Sequence, residues 1–189
     1  MNTLKFFLAT VLLVAHAAAI VIHNSDQVVL RLDSKGAVVC PQSKPQKLYR
    51  LFNADIEHFF LTTSDSKISA AQADGYEIDG VAAHVFHKRE PSTVPLYHLY
   101  NERTENHFFT HDELERNAAL DDEGFEYHLE TPIAGYLFPR RMCGAKPLWR
   151  LVKDGHHGLH RFYTTDPYER DAALVNEGYI DAGVAGYVH

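Results

Sequence analysis

One short segment occurs three times in this chain, and this repetition constrains the fold more than any other feature. A leucine, an aromatic residue, an arginine or histidine and a second leucine stand at 48–51, 96–99 and 148–151. Each copy precedes an aromatic segment that ends in threonine, then a helix-like stretch that ends at glycine, then an apolar closing segment. The sequence therefore predicts a single domain over residues 47–189. Its repeats are predicted at about 47–87, 95–139 and 147–189.

The periodicity changes within each repeat. The leucine segment and the aromatic segment after it are short and rich in strand-forming residues, whereas the stretch that follows begins at a good N-cap, namely Ser64, Asp112 or Asp166. The predicted helices cover 65–74, 113–123 and 167–177. We therefore predict an α+β fold of three tandem β-β-α-β repeats, each of about 45–50 residues, which could close with pseudo-threefold symmetry. A short hairpin and linker are predicted over residues 20–46.

The N-terminal segment has the features of a secretory signal peptide. A short basic start is followed by an apolar core and by small residues at Ala17 and Ala19, which predicts cleavage after residue 19. The apolar run is shorter than the roughly 20 residues of a membrane span, and no later segment is apolar enough to cross a bilayer. The formal net charge of −7 disfavours nucleic acid as a partner. We expect a secreted, extracellular protein without membrane insertion.

The chain has two cysteines, Cys40 and Cys143, and each lies just before a repeat. Because a secreted protein folds in an oxidising compartment, we predict that they form a disulfide, with two buried thiols as the alternative. Such a bond would close a loop of about 100 residues and would stabilise the fold by roughly 4–5 kcal/mol in the chain-entropy description.

The repeat resembles a known family. The order Leu-Tyr-Arg-Leu-x-Asn at 48–53, His-Phe before Thr-Thr at 58–63, Gly-Tyr at 178–179 and Val-Ala-Gly-Tyr-Val at 184–188 resembles a secreted microbial repeat family of unknown function. Members are often appended to extracellular cell-wall hydrolases. The resemblance covers residues 47–189 and implies, by analogy, a targeting or binding role. The repeats differ from one another, for example at 83–84, where Ala-His replaces Gly-Tyr, which implies unequal sites.

Aromatic side chains at one repeated position are candidates for ligand binding. Strand alternation places the aromatic on the opposite face from the leucine before it, where a ring can cover the C–H face of a sugar. Packing between repeats is an equally good interpretation of these rings. Beside these rings, polar residues of the connecting loops could accept hydrogen bonds from the hydroxyl groups of the sugar. The predicted ligand-binding residues are Tyr49, Asn53, Asp55, Tyr97, Asn101, Glu105, Trp149, Asp154 and His157.

The histidines and acids give weaker indications of chemistry. His58, His107 and His160 recur in the second strand, and we favour a packing role for them. His156 and His157 with His160 resemble metal ligands, but no carboxylate or thiol completes a set, so we predict neither a metal nor a cofactor. The connecting loops contain acids, among them Asp55, Glu57, Glu102 and Glu105, but no nucleophile motif accompanies them. We therefore predict no catalytic residue.

These observations favour a secreted, non-catalytic, lectin-like module. We expect a monomer that recognises glycans or cell-wall polysaccharide, where three weak sites would gain by avidity. Two alternatives remain open at this point. One is an extracellular hydrolase acting on wall polysaccharide through the loop acids and histidines, and the other is a secreted effector or inhibitor that binds a protein partner.

Overall fold

The computed structural model describes residues 30–156 and 158–189. The predicted signal peptide, the first part of the predicted hairpin and His157 therefore lie outside the described residues. The described strands are β1 (Gln46–Asn53), β2 (His58–Thr62), β3 (Glu77–Val85), β4 (Val94–Asn101), β5 (Asn106–Thr110), β6 (Glu126–Tyr127), β7 (Ile133–Leu137), β8 (Lys146–Gly155), β9 (Gly158–Thr164) and β10 (Ile180–Val188). The described helices are α1 (Asp65–Ala73), α2 (Glu113–Asp122) and α3 (Pro167–Asn176).

The strands form three small antiparallel sheets, and the leucine segment is the central strand of each. The strand orders are β2-β1-β3, β5-β4-β6 and β9-β8-β10, and β7 also pairs with β4. A central strand has neighbours on both sides, which suits the most apolar segment of the sequence. The leucines of all three segments are fully buried: Leu48, Leu51, Leu96, Leu99, Leu148 and Leu151.

The predicted α+β class with three tandem β-β-α-β repeats is wrong. Among the described residues, strands account for 45% and helices for 18%, so the domain is mainly β. The helices contribute little to the core, because α2 buries only Ala119 and α3 only Ala173. The second sheet also departs from the predicted order. Its closing segment is divided into β6 and β7 around Pro132, which has no N–H to donate to a sheet ladder.

Each helix begins where its N-cap predicts. The side chain of Ser64 accepts from the backbone N–H of Lys67, and those of Asp112 and Asp166 accept from N–H groups in the first turns of α2 and α3. Each helix ends one residue before its predicted end. A glycine with positive φ follows shortly after each end, at 75, 124 and 178, where a side chain would be strained.

The three sheets meet through their second strands and through their closing strands. Strands β2, β5 and β9 contact one another, and the buried Tyr163 hydroxyl donates to the Phe109 carbonyl at 3.1 Å. Isolated bridges join Phe86 to Tyr136 and Phe138 to Tyr187, so the ends of the closing strands also pair. The sheets are therefore held together through two sets of strands.

Cys40 and Cys143 form a disulfide, as predicted from the compartment. It spans 103 residues of sequence and ties the N-terminal segment to the turn before β8. Before Cys40, a single antiparallel bridge between Leu32 and Val38 closes a tight turn. No helix within 30–156 and 158–189 is long and apolar enough to span a membrane.

Candidate functional site

Two of the three contacts between a helix and the neighbouring sheet are closed by an arginine–glutamate pair. Arg150 in β8 donates to both carboxylate oxygens of Glu115 in α2, at 2.9 and 2.6 Å. Arg50 in β1 forms the same bidentate contact with Glu169 of α3, at 3.0 Å for each hydrogen bond. Each arginine is almost completely buried, so each pair fixes a helix against the next sheet.

The contact between α1 and the second sheet lacks this pair. Lys67 stands in α1 three residues after the N-cap, where α2 and α3 have their glutamates. His98 stands in β4 where β1 and β8 have their arginines. Both partners of the ion pair are thus replaced, and Lys67 instead pairs with Glu130. The contact between α1 and the second sheet therefore cannot contain the arginine–glutamate ion pair found in the other two contacts.

A cluster of three histidines occupies this position, namely His98, His107 and His128, and we call it the histidine cluster. The ring nitrogens His98 Nε2 and His107 Nδ1 are 2.9 Å apart, and the rings of His98 and His128 stack with centroids 4.3 Å apart. His98 Nδ1 lies 3.1 Å from the carbonyl oxygen of Thr131, which can only accept. A neutral His98 therefore donates at Nδ1 and accepts at Nε2 from His107.

The cluster is held in its neutral form. Burial lowers the pKa of His107 to about 3, with His128 and His58 contributing in the same direction. Burial, followed by His107 and His128, lowers the pKa of His98 well below its usual value. Burial and then the charge of Lys67 lower the pKa of His128. At neutral pH these rings therefore act as uncharged donors and acceptors.

A cleft of about 540 Å³ opens beside the histidine cluster, between α1 and the second sheet, and we call it the junction cleft. Its lining includes Asp74, Tyr76, Tyr100, Glu105, His107 and His128. The two tyrosines are half-buried, whereas Asp74 and Glu105 are exposed. Burial raises the pKa of Tyr76, and the nearby Tyr100, Glu105 and Asp74 raise it further.

The asparagines predicted to bind ligand serve first to fasten the fold. The Asn53 amide donates to the Asp74 carbonyl at the end of α1, at 3.0 Å, and its oxygen accepts from the Asp55 backbone N–H at 3.0 Å. Asn101 donates to the Glu123 carbonyl at 2.9 Å and accepts from the Thr104 backbone N–H. Both are buried, although Asn53 also contributes to the junction cleft.

The three aromatic residues at the repeated position lie in different surroundings. Tyr49 packs against the main core, and Tyr97 donates to Glu113 at 3.3 Å with Arg116 against its ring. Trp149 lines a separate cleft on the third sheet. Neither Tyr49 nor Tyr97 lines this cleft or the junction cleft, so the three rings do not form one set of equivalent sites.

The loop acids do not converge either. Glu105 lines the junction cleft, whereas Asp55 is exposed in a turn and Asp154 is exposed near the end of β8. Glu57 lines a different cleft, between the first and third sheets, where its carboxylate lies 3.6 Å from His160. Within the described residues, no three histidine, cysteine or acidic side chains are placed to hold a metal ion.

Sequence reasoning missed most of the junction cleft. Of the predicted residues, only Asn53 and Glu105 line it, and Tyr76, Tyr100 and the histidine cluster were not proposed as ligand contacts. A signal was present in the sequence. Lys67 and His98 each differ from the residues at the matching positions of the other two repeated segments, and the differences occur on both sides of one contact.

The fold and the cleft define a mainly β domain with a polar and aromatic surface site. The chain belongs to a family described as a domain of unknown function, DUF5648, whose profile matches residues 47–189. No curated protein and no solved structure matches the chain.

Proposed function

We propose that this protein is a secreted, monomeric, non-catalytic module that binds an uncharged sugar unit of a glycan or cell-wall polysaccharide in the junction cleft. The observation that carries the proposal is the placement of Tyr76 and Tyr100 beside the carboxylates of Asp74 and Glu105 in one cleft. In this proposal residues 1–19 act as the signal peptide.

The chemistry of the lining suits a sugar. An aromatic ring packs against the apolar C–H face of a pyranose, while the carboxylates accept hydrogen bonds from the hydroxyl groups of the sugar. The neutral imidazole of His128, which also lines the cleft, offers a further hydrogen-bonding group. The cleft volume of about 540 Å³ lies within the usual range for small-ligand sites, roughly 300–1,000 Å³.

The charges of the cleft favour an uncharged ligand. Asp74 and Glu105 would repel an anionic sugar, and the only ammonium in the described lining, that of Lys67, is paired with Glu130. The cleft also runs from the exposed carboxylates to the buried His107, so a terminal sugar could enter while the rest of a chain stays in solvent.

A glycan array followed by calorimetry tests the proposal. We expect the chain from residue 20 onward to bind neutral glycans selectively, and Tyr100→Ala to weaken binding by about five- to tenfold, since a lost aromatic contact costs roughly 1–1.5 kcal/mol. Tyr127→Ala is the matched control, because Tyr127 is a more exposed tyrosine of the same sheet that does not line the cleft.

Two results would contradict the proposal. One is a folded protein that binds no glycan on the array. The other is glycan binding that Tyr100→Ala and Tyr127→Ala affect equally, which would place the site elsewhere. Turnover of a bound polysaccharide would instead favour the extracellular hydrolase, and capture of one protein partner in place of a glycan would favour the effector or inhibitor.

A further inference from the structure

A second cleft, of about 520 Å³, lies on the third sheet around Trp149, and we call it the tryptophan cleft. Its apolar surface comes from Trp149 and Tyr187, with Pro147 and Pro167 beside them. Its charged lining residues are both cationic, Arg141 and Lys146. This composition differs from that of the junction cleft, where carboxylates line the entrance.

The two cations of the tryptophan cleft are available to a ligand. Arg141 and Lys146 are exposed, and among the residues that the structure describes no carboxylate forms an ion pair with either of them. The nearby Arg170 differs, because it pairs with Asp181 and Asp171 while lying 5.4 Å from the Trp149 ring.

The turn that carries Arg141 is held in place. Cys143, two residues further on, is bonded to Cys40, and the Ala145 backbone N–H donates to the Met142 carbonyl at 2.9 Å. Lys146 begins β8 and pairs with Val188 of β10. Both cations are therefore presented from a constrained backbone, which reduces the entropy lost on binding an anion.

The backbone of the cleft is already hydrogen-bonded, which disfavours an added peptide strand. Tyr187 in β10 exchanges two backbone hydrogen bonds with Phe138, at 2.8 and 2.9 Å, on the side away from β8. Recognition at this cleft must therefore use side chains. An aromatic ring with flanking proline rings fits the C–H face of a sugar, and a guanidinium with an ammonium fits a carboxylate on that sugar.

We propose that the tryptophan cleft is a separate binding site for an anionic saccharide, namely a hexuronate unit of an acidic polysaccharide. The Trp149 ring packs against the pyranose, and Arg141 and Lys146 bind its carboxylate. This site does not depend on the junction cleft, which takes an uncharged sugar under the function proposed above.

The fluorescence of Trp149 offers a direct test, because it is the single tryptophan of the chain. We expect trigalacturonate to shift the emission of the wild-type protein saturably, and its methyl ester to produce no shift. Added salt should weaken the response, since the attraction is between exposed charges. Replacing both Arg141 and Lys146 by glutamine should raise the Kd by about tenfold, since both charged contacts to the carboxylate are lost.

The control is the paired substitution Lys88→Gln with Arg89→Gln. It removes the same charge from another exposed turn that does not line the cleft, and it should leave the Kd unchanged. Tyr100→Ala should also leave the Trp149 response unchanged, which separates this site from the junction cleft. The proposal is overturned if the emission does not respond up to about 10 mM trigalacturonate, if the methyl ester acts equally, or if only an acidic peptide produces the shift.

Discussion

At the scale of single residues, a buried asparagine at the end of a central strand connects the turn after that strand to the end of the following helix. Asn53 bonds both the Asp74 carbonyl and the Asp55 backbone N–H, and its replacement leaves these groups without their partner. We predict that Asn53→Ala lowers the free energy of unfolding by about 2 kcal/mol, because two hydrogen bonds of a buried side chain are lost. Urea denaturation followed by circular dichroism measures this change.

An exposed asparagine is the control for this prediction. Asn176→Ala removes the same side chain at the end of α3, where it is exposed, and we expect a change within about 0.5 kcal/mol. If the two variants have the same free energy of unfolding, the hydrogen bonds of the Asn53 amide do not stabilise the fold.

The sequence could predict burial at this scale better than it could predict the role of a residue. The apolar character of Leu48 and Leu51 correctly indicated that both are buried. The sequence could not distinguish Asn53 as a ligand contact from Asn53 as a turn residue, because an amide that bonds its own backbone and one that bonds a ligand need the same side chain. Only the position of the Asp74 carbonyl decides between them.

At the scale of secondary-structure elements, arginine–glutamate pairs hold two helices against neighbouring sheets. Burial by itself raises the pKa of Glu115, but the hydrogen bonds from Arg150 and Thr110 together with the charge of Arg150 lower it overall. We predict that Glu115→Gln reduces the free energy of unfolding by about 2 kcal/mol, because the buried Arg150 loses its charged partner while Glu115 itself is partly exposed. Thermal and chemical denaturation both measure this loss.

Glu113→Gln is the matched control on the same helix. Glu113 is a more exposed residue whose carboxylate lies 3.8 Å from Arg116, so its replacement should change stability by no more than about 0.5 kcal/mol. Equal losses for the two variants would show that the Arg150 pair does not hold α2 in place.

The sequence predicted the elements well and their arrangement less well. Capping residues and glycines act locally, so Ser64 and Gly75 set the limits of α1 to within one residue. The fold class depends on how much each element contributes to the hydrophobic core, and the helices contribute little to it. In the second closing segment, Pro132 indicates an interrupted strand, and the segment does divide into β6 and β7 around it.

At the scale of the whole molecule, the histidine cluster should make the fold sensitive to acid. An unfolded histidine has a pKa near 6.5, whereas folding lowers that of His107 to about 3. Between these values the unfolded chain binds the extra proton, so stability falls as the pH falls through this window. From pH 7 to pH 5, His107 alone should cost about 2 kcal/mol of unfolding free energy.

Substitution of the histidine tests this origin of the pH dependence. Between pH 7 and pH 5, the free energy of unfolding of the wild type should fall by about 2 kcal/mol more than that of His107→Gln. Urea denaturation at the two pH values measures both changes. His87→Gln, which replaces an exposed histidine, should keep the wild-type dependence. Identical pH profiles for all three proteins would mean that His107 is not held neutral by the fold.

Glycan binding in the junction cleft is tested by a titration of the protein with a neutral glycan while the imidazole resonances are followed by NMR. We expect a saturable shift of the His128 signal in the wild type, no such shift in Tyr100→Ala, and no change in Trp149 fluorescence. If neutral glycans leave the His128 signal unchanged while the protein is folded, or if they bind and perturb Trp149 alone, the junction cleft is not the glycan site.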